Sequence, residues 1–211
     1  MHIPDGFLSP GIWVTLDLAA VPALAYCARK SKAQMEETRV PLLGVMGAFI
    51  FAAQMIHFPV GPGTSAHMAG AALLAILFGP YAAALVMAAI LMVQALLFQD
   101  GGLTALGANF WNMGLLGVFC GYLPYSLSLR AGGRFRSAAI FLAGWLAVVA
   151  GATAVALELT WSRVAPAKLL LPSLIGIHAL AGLAEGALTL AALRMIEKLN
   201  PSLVRRPAES V

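Results

Sequence analysis

Long apolar stretches make up most of this chain, and the polar residues between them fall in short clusters. Runs over about 9–29, 41–56, 108–129, 137–161 and 169–195 read as helical membrane spans, since helix rises ~1.5 Å per residue and the hydrocarbon core is ~30 Å thick. The stretch 68–98 is harder to divide. It is too long for one ordinary crossing, and Gly79-Pro80 stands at its middle, where a helix breaks or kinks. It reads as one span or as two.

The basic residues choose between those readings. With a turn at Gly79-Pro80, the segments carrying Arg29, Lys30, Lys32, Arg39, Arg130, Arg134, Arg136, Arg194, Lys198, Arg205 and Arg206 share one side, leaving Arg163 and Lys168 opposite. That is a split of 11 to 2, against 6 to 7 for a single unbroken span. The positive-inside rule therefore selects an all-α bundle of about seven transmembrane helices, N-terminus outside and C-terminus cytoplasmic. A helix over 68–79 is only ~18 Å long, so the Pro- and Gly-rich loop 57–67 before it is expected to dip into the outer half of the protein. Non-helical backbone survives at that depth only when buried in protein or lining a cavity, and the same is expected of 100–107.

Composition agrees with this reading. The chain of 211 residues is 61% hydrophobic and 10% charged, where soluble domains carry ~25% charge. One transmembrane domain over 1–211 accounts for it, with 1–8 an ordered N-terminal segment and 197–211 a cytoplasmic tail. The net charge of +4 comes from residues flanking the spans, with no aromatic-interleaved basic face, so no nucleic-acid partner is expected; the partner is the lipid bilayer. Cys27 and Cys120 lie in apolar runs and read as packing residues. The opening residues have no basic n-region and no small-residue cleavage site, and are expected to remain in the mature protein.

Four histidines could carry chemistry: His2, His57, His67 and His178. The Met1 α-amine, the deprotonated His2 amide and the His2 ring Nδ1 can close adjacent five- and six-membered chelate rings in one plane. Such an in-plane nitrogen set suits Ni²⁺ or Cu²⁺ and not the oxygen-seeking Ca²⁺ or Mg²⁺. A solvated, frayed tail is the alternative. His67 lies at the mouth of the short helix, on the outer side with Met1, and so within reach as a fourth nitrogen. Thr64 and Ser65 are placed to cap that helix, with His67 in its first turn.

Met1-His2-Ile3-Pro4-Asp5-Gly6-Phe7-Leu8-Ser9-Pro10 resembles the opening of the CbiM/NikM family, the cobalt- and nickel-binding S components of energy-coupling factor (ECF) transporters. Phe58-Pro59-Val60, Gly63-Thr64-Ser65 and His67 resemble its second block. Gln94-Ala95-Leu96-Leu97-Phe98, the run from Asp100-Gly101-Gly102 to Asn109, and Asn112-Met113-Gly114 resemble its third, and His178-Ala179-Leu180 through Glu185-Gly186 its fourth. The resemblance runs from end to end. It implies Met1, His2 and His67 as ligands of Ni²⁺ or Co²⁺, the transported substrate, with no organic cofactor. At His57 the family more commonly has an amide, so His57 reads as a residue supporting the ligands, with an extra ligand and a harmless substitution as the alternatives. From their own chemistry Gln94, Asn109 and Asn112 are candidates to orient loop backbone or the His67 ring, and Ser65 is a further supporting candidate. The resemblance also implies a transmembrane coupling subunit, cytoplasmic ATPase subunits and a small accessory membrane subunit in the cell (inner) membrane, and a link to cobalamin biosynthesis. The chain itself would not be an enzyme, and ATP would be hydrolysed by its partners.

His178 and Glu185 are seven residues apart and share a helix face; Asp17 and Glu158 are similarly costly in lipid. A metal pathway and an internal hydrogen-bonded pair are the two readings of His178 and Glu185. Small residues Ala19, Ala20, Ala23 and Ala28 suit close helix approach, either within the bundle or against a coupling subunit. An intramembrane metal-dependent enzyme is the rival function, but no His-Glu-x-x-His or comparable paired ligand is present. A channel would need a polar file that Asp17, Glu158 and Glu185 do not establish.

Overall fold

The structure is a computed structural model that describes residues 1–61, 64–133 and 135–204, with side chains described for all of these except 58–61 and 64–66. Helix α1 is Pro10–Gln34 and α2 is Val40–Gln54, after a 3₁₀ turn at Glu37–Arg39. A hairpin follows, β1 Phe58–Gly61 against β2 Thr64–Ala66, antiparallel with Phe58 opposite Ala66. Next come α3, Ala71–Phe78, and α4, Pro80–Val93, which continues through a π-helical turn at Gln94–Phe98. A third long segment joins α5 (Leu106–Asn109), π-helical Phe110–Leu116 and α6 (Gly117–Arg130); α7 is Arg136–Trp161 and α8 is Ala167–Leu199.

Pro10 and Pro80 each open a helix, where the missing N–H has no partner to lose. Gly79 separates α3 from α4 with φ +87°, a conformation that favours glycine. The stretch 68–98 is thus two helices, and the second returns toward the start of the first. Gln54 shows this, because its side chain donates to the Ala69 carbonyl before α3 and accepts from Gln94 at the end of α4.

Among the described residues, four helical stretches, Pro10–Gln34, Pro80–Phe98, Arg136–Trp161 and Ala167–Leu199, are long and apolar enough to cross a membrane. Every residue of α3 is buried, so this short helix is the core around which the longer ones pack. Outward-facing positions carry Leu18, Val21, Leu97, Leu180 and Met195, while the interior is rich in Ala and Gly. That inverted pattern fits a lipid surround, in which small residues let helices approach and large apolar ones face the tails. The closest approach joins α7 to α8: a methyl on Gly144 would stand 2.8 Å from Gly186 Cα. At the far end of the same pair Arg136 binds Glu197 at 2.7 Å.

One expectation fails here. Thr64 and Ser65 do not cap α3, because they lie in β2 while the helix starts at Ala71 with Gly70 as its N-cap. His67 accordingly lies between the hairpin and the helix and is not in its first turn.

Candidate metal site

The first eight residues fold back into the mouth of the bundle. Ile3 pairs with Asn109 as one strand residue pairs with another: its N–H donates to Asn109 Oδ1 at 2.8 Å, and Asn109 Nδ2 donates to its carbonyl at 3.0 Å. The Gly102 N–H also donates to the Ile3 carbonyl, at 2.9 Å. The Ile3 side chain is buried against Leu8, Ala105, Ala108 and Val155. Asp5 accepts from the amides of Leu103 (3.0 Å) and Thr104 (2.7 Å) and from the Thr104 hydroxyl. These bonds, that of the Thr104 hydroxyl foremost, hold the Asp5 carboxyl below the usual range. Gly101 (φ +100°) turns the loop, and Gly102 lies so close to the tail that a methyl there would meet the Pro4 carbonyl carbon at 2.7 Å.

This pairing delivers Met1 and His2 to a cavity of about 410 Å³ lined also by His57, His67, Asp100 and His178. The hydrogen-bond network fixes how the His2 ring is held. A carbonyl can only accept, so the Gln54 amide must turn its NH₂ to the Ala69 oxygen (2.7 Å) and its oxygen to Gln94 Nε2 (2.8 Å). Gln94 Oε1 is then left to accept from His2 Nε2–H at 3.1 Å. Its Nδ1 faces the Asp100 carboxylate at 3.2 Å, so with Nε2–H held by Gln94 it is Nδ1 that is placed to take a metal.

His67 is fixed by the same logic applied to a different nitrogen. Its Nδ1 donates to the Met68 carbonyl at 2.9 Å, and its Nε2 is buried with no hydrogen-bond partner. Burial, then the neighbouring terminal amine and His2, hold its pKa down to about 3, so the ring is neutral. The Met1 amine is lowered to about 6 by burial, against an opposing pull from Asp100, and so loses its proton below neutral pH. Asp100 is held low, first by its bond to His2. The His2 and His67 rings stack with centroids 5.0 Å apart and planes 16° apart, and His57 meets His67 edge-on at 5.4 Å.

Among the described residues, His, Cys, Asp and Glu side chains alone form no three-membered ligand group. The nitrogen-rich character of the cluster appears only when the terminal amine is added.

The remaining expected residues divide sharply. Gln94 touches His2, and Asn109 holds Ile3 next to it. Asn112 does not reach either imidazole; its side chain donates to Glu158 at 2.7 Å within the bundle. His57 is half-exposed on the rim, with Nε2 3.8 Å from Asp100 Oδ2 and Nδ1 on the Met55 carbonyl. The Ser65 side chain lies outside the described residues. His178 and Glu185 are not bonded to each other: His178 Nδ1 donates to its own helix at Leu174, and Glu185 accepts from Ala69 and Gly70. Gln54 was not singled out by the sequence, although it is the one side-chain amide within the apolar α2. Nor was the clamp role of Asp5.

Residues 2–203 match the family described as cobalt uptake substrate-specific transmembrane region, CbiM. The chain is 42% identical over 211 residues to a putative fused nickel transport protein NikMN of Archaeoglobus fulgidus, covering 99% of this chain and 69% of that one. It is 40% identical over 152 residues to the cobalt transport protein CbiM of Salmonella typhimurium, covering 71% and 62%. A crystal structure titled as a transition metal transporter superposes with TM-score 0.88 at 32% identity, covering 95% of this chain and 94% of that one.

Proposed function

The chain belongs to the CbiM family of cobalt and nickel uptake transmembrane components, and from that premise we propose that it is the substrate-binding subunit of an ECF-type importer, taking Ni²⁺ or Co²⁺ at the outer side. The observation that carries this is the convergence of two imidazoles each held by its other nitrogen, His2 through Nε2 on Gln94 and His67 through Nδ1 on Met68 with its Nε2 left without a partner, beside a buried amine. Met1 supplies its amine, His2 its amide nitrogen and Nδ1, and His67 its Nε2. Four nitrogens of this kind suit a square-planar ion at the strong-binding end of the divalent series.

The charges balance as well. A divalent ion and a deprotonated amide leave one positive charge, and Asp100, already beside His2 Nδ1, offsets it. On binding, the ion takes the place beside His2 Nδ1, while Gln94 keeps Nε2 protonated and the ring in place; such outer partners orient ligands. Asn109, Gly102 and Asp5 set the register of the tail.

With the N-terminus outside, the helical segments among the described residues make seven passes in alternation, the short buried α3 together with the loop before it counting as one, and the end of α8 is cytoplasmic. Transport then needs a coupling subunit and ATPases from other chains, and an accessory membrane subunit, in line with relatives named as fused NikMN proteins that extend beyond the matched region.

The test is made at the terminus. One residue added before Met1 turns the amine into an amide, and calorimetric Ni²⁺ and Co²⁺ binding is expected to be lost, as with His2→Ala and His67→Ala. An extension after Val211 is expected to be silent. Full-strength binding by the N-terminally extended, folded protein removes Met1 from the ligand set.

A further inference from the structure

Three residues, 68–70, bear on both imidazoles. The Met68 carbonyl holds His67 Nδ1 at 2.9 Å. The Ala69 carbonyl, 2.7 Å from Gln54 Nε2, begins the Gln54–Gln94 relay that ends on His2 Nε2. If this segment moves or turns its carbonyls, both rings lose the bond that orients them. What holds the segment comes from the far end of the sequence. Glu185 on α8, buried with 3% of its surface exposed, accepts from the Ala69 N–H at 2.9 Å and the Gly70 N–H at 2.8 Å, one carboxylate oxygen to each. Glu185 thereby satisfies main-chain donors at the entry to α3 that Thr64 and Ser65 leave open. Its backbone is itself immobilised, since α7 and α8 touch at Gly144, whose added methyl would stand 2.9 Å from the Glu185 carbonyl oxygen.

We propose that Glu185 is a positioning residue of the cargo site, anchoring segment 68–70 so that a single carboxylate on α8 orders the imidazoles of both His2 and His67. The inference rests on the reading that Met1, His2 and His67 bind the metal. It assigns Glu185 neither to the metal nor to a partnership with His178. A carboxylate matches two consecutive N–H donors because both its oxygens accept. Glutamine has the same shape but one acceptor and an NH₂, which would face one of the two N–H groups donor to donor. Aspartate keeps both acceptors but withdraws them by one methylene.

The experiment uses the full chain in detergent, as wild type, Glu185→Gln, Glu185→Asp and His67→Ala. Ni²⁺ affinity is measured by calorimetry, and the ring nitrogens of ¹⁵N-histidine-labelled, metal-free protein by NMR. Wild type is expected to show His67 protonated at Nδ1 and His2 at Nε2. Glu185→Gln is expected to lose ~10–100-fold in affinity, the range for residues that orient a metal's ligands, and to disturb both histidine patterns. Glu185→Asp is expected to lose less, in the same direction, and decides the matter by the same readouts if the glutamine variant does not fold. Folded variants that bind and resonate as wild type, or that only melt at lower temperature, overturn the inference while His67→Ala has lost binding. If His67→Ala binds normally, the ligand assignment fails instead, and this inference with it.

Discussion

The two stretches that deliver the imidazoles are secured in opposite ways. The tail, 1–8, is held along its length by partners from elsewhere in the sequence: Asn109 and Gly102 at Ile3, Leu103 and Thr104 at Asp5, and Gln94 and Asp100 at His2. His67 is bonded to its neighbour Met68 and otherwise fixed by burial and by what anchors 68–70. The tail therefore depends on register, as a strand does, whereas His67 depends on one short segment staying still. Damage to the tail should spread along it, and damage to the anchor of 68–70 should reach the site only through the two imidazoles.

The strongest way to break that contrast is at Gly102. A methyl there collides with the backbone of Pro4 and Asp5, which cannot swing aside as a side chain could. Gly102→Ala is expected to reduce Ni²⁺ affinity by about 100-fold, the upper end of what misplaced supporting groups cause, with the fold intact by size-exclusion chromatography. Wild-type affinity in this variant would mean the tail is not held by register.

The second effect is on pH. The Met1 amine, at about 6, is already deprotonated at neutral pH, and His67, at about 3, stays so throughout the accessible range. Both shifts are downward, so proton competition by the amine begins only as pH falls through about 6, not through the ordinary range near 8. Calorimetry in buffers of different ionisation enthalpy is expected to find about one more proton released per metal at pH 5 than at pH 7.5. An unchanged count would exclude the amine.

The smallest effect is expected at His57. Half-exposed and 3.8 Å from Asp100, it resembles an exposed ion pair, so His57→Ala should weaken binding by less than about fivefold. A loss as large as that from His67→Ala would make the rim part of the ligand set.

Much of this was legible in the sequence, for identifiable reasons. The break at Gly79-Pro80 could be read because the two residues act locally, one through its φ and the other through its missing N–H. Asn109 and Gln94 were found as polar residues in otherwise apolar or Gly-rich surroundings. The cap of α3 was misread because Thr64 and Ser65 satisfy the local rule, but the hairpin claims their backbone and the acceptors arrive instead from Glu185, 115 residues beyond Gly70. Asn112 was misassigned for a related reason. Three residues beyond Asn109, it sits in the π-helical stretch Phe110–Leu116 and meets Glu158 of α7 rather than the cavity. Periodicity reports which face a residue takes, and neither error concerned a face alone.

The separation of partners along the chain also imposes an order on synthesis. His2 meets Gln94 across 92 positions, Ile3 meets Asn109 across 106, and the segment beside His67 meets Glu185 across 116. Contacts this far apart form late, because the intervening chain must be ordered before they repay its entropy. Residues 1–8 thus have nowhere to dock until the segment Leu106–Arg130 is in place, and the anchor beside His67 is complete only when α8 has inserted. A ribosome-bound chain stopped before α8 would carry every atom of Met1, His2 and His67 and still lack the arrangement that joins them.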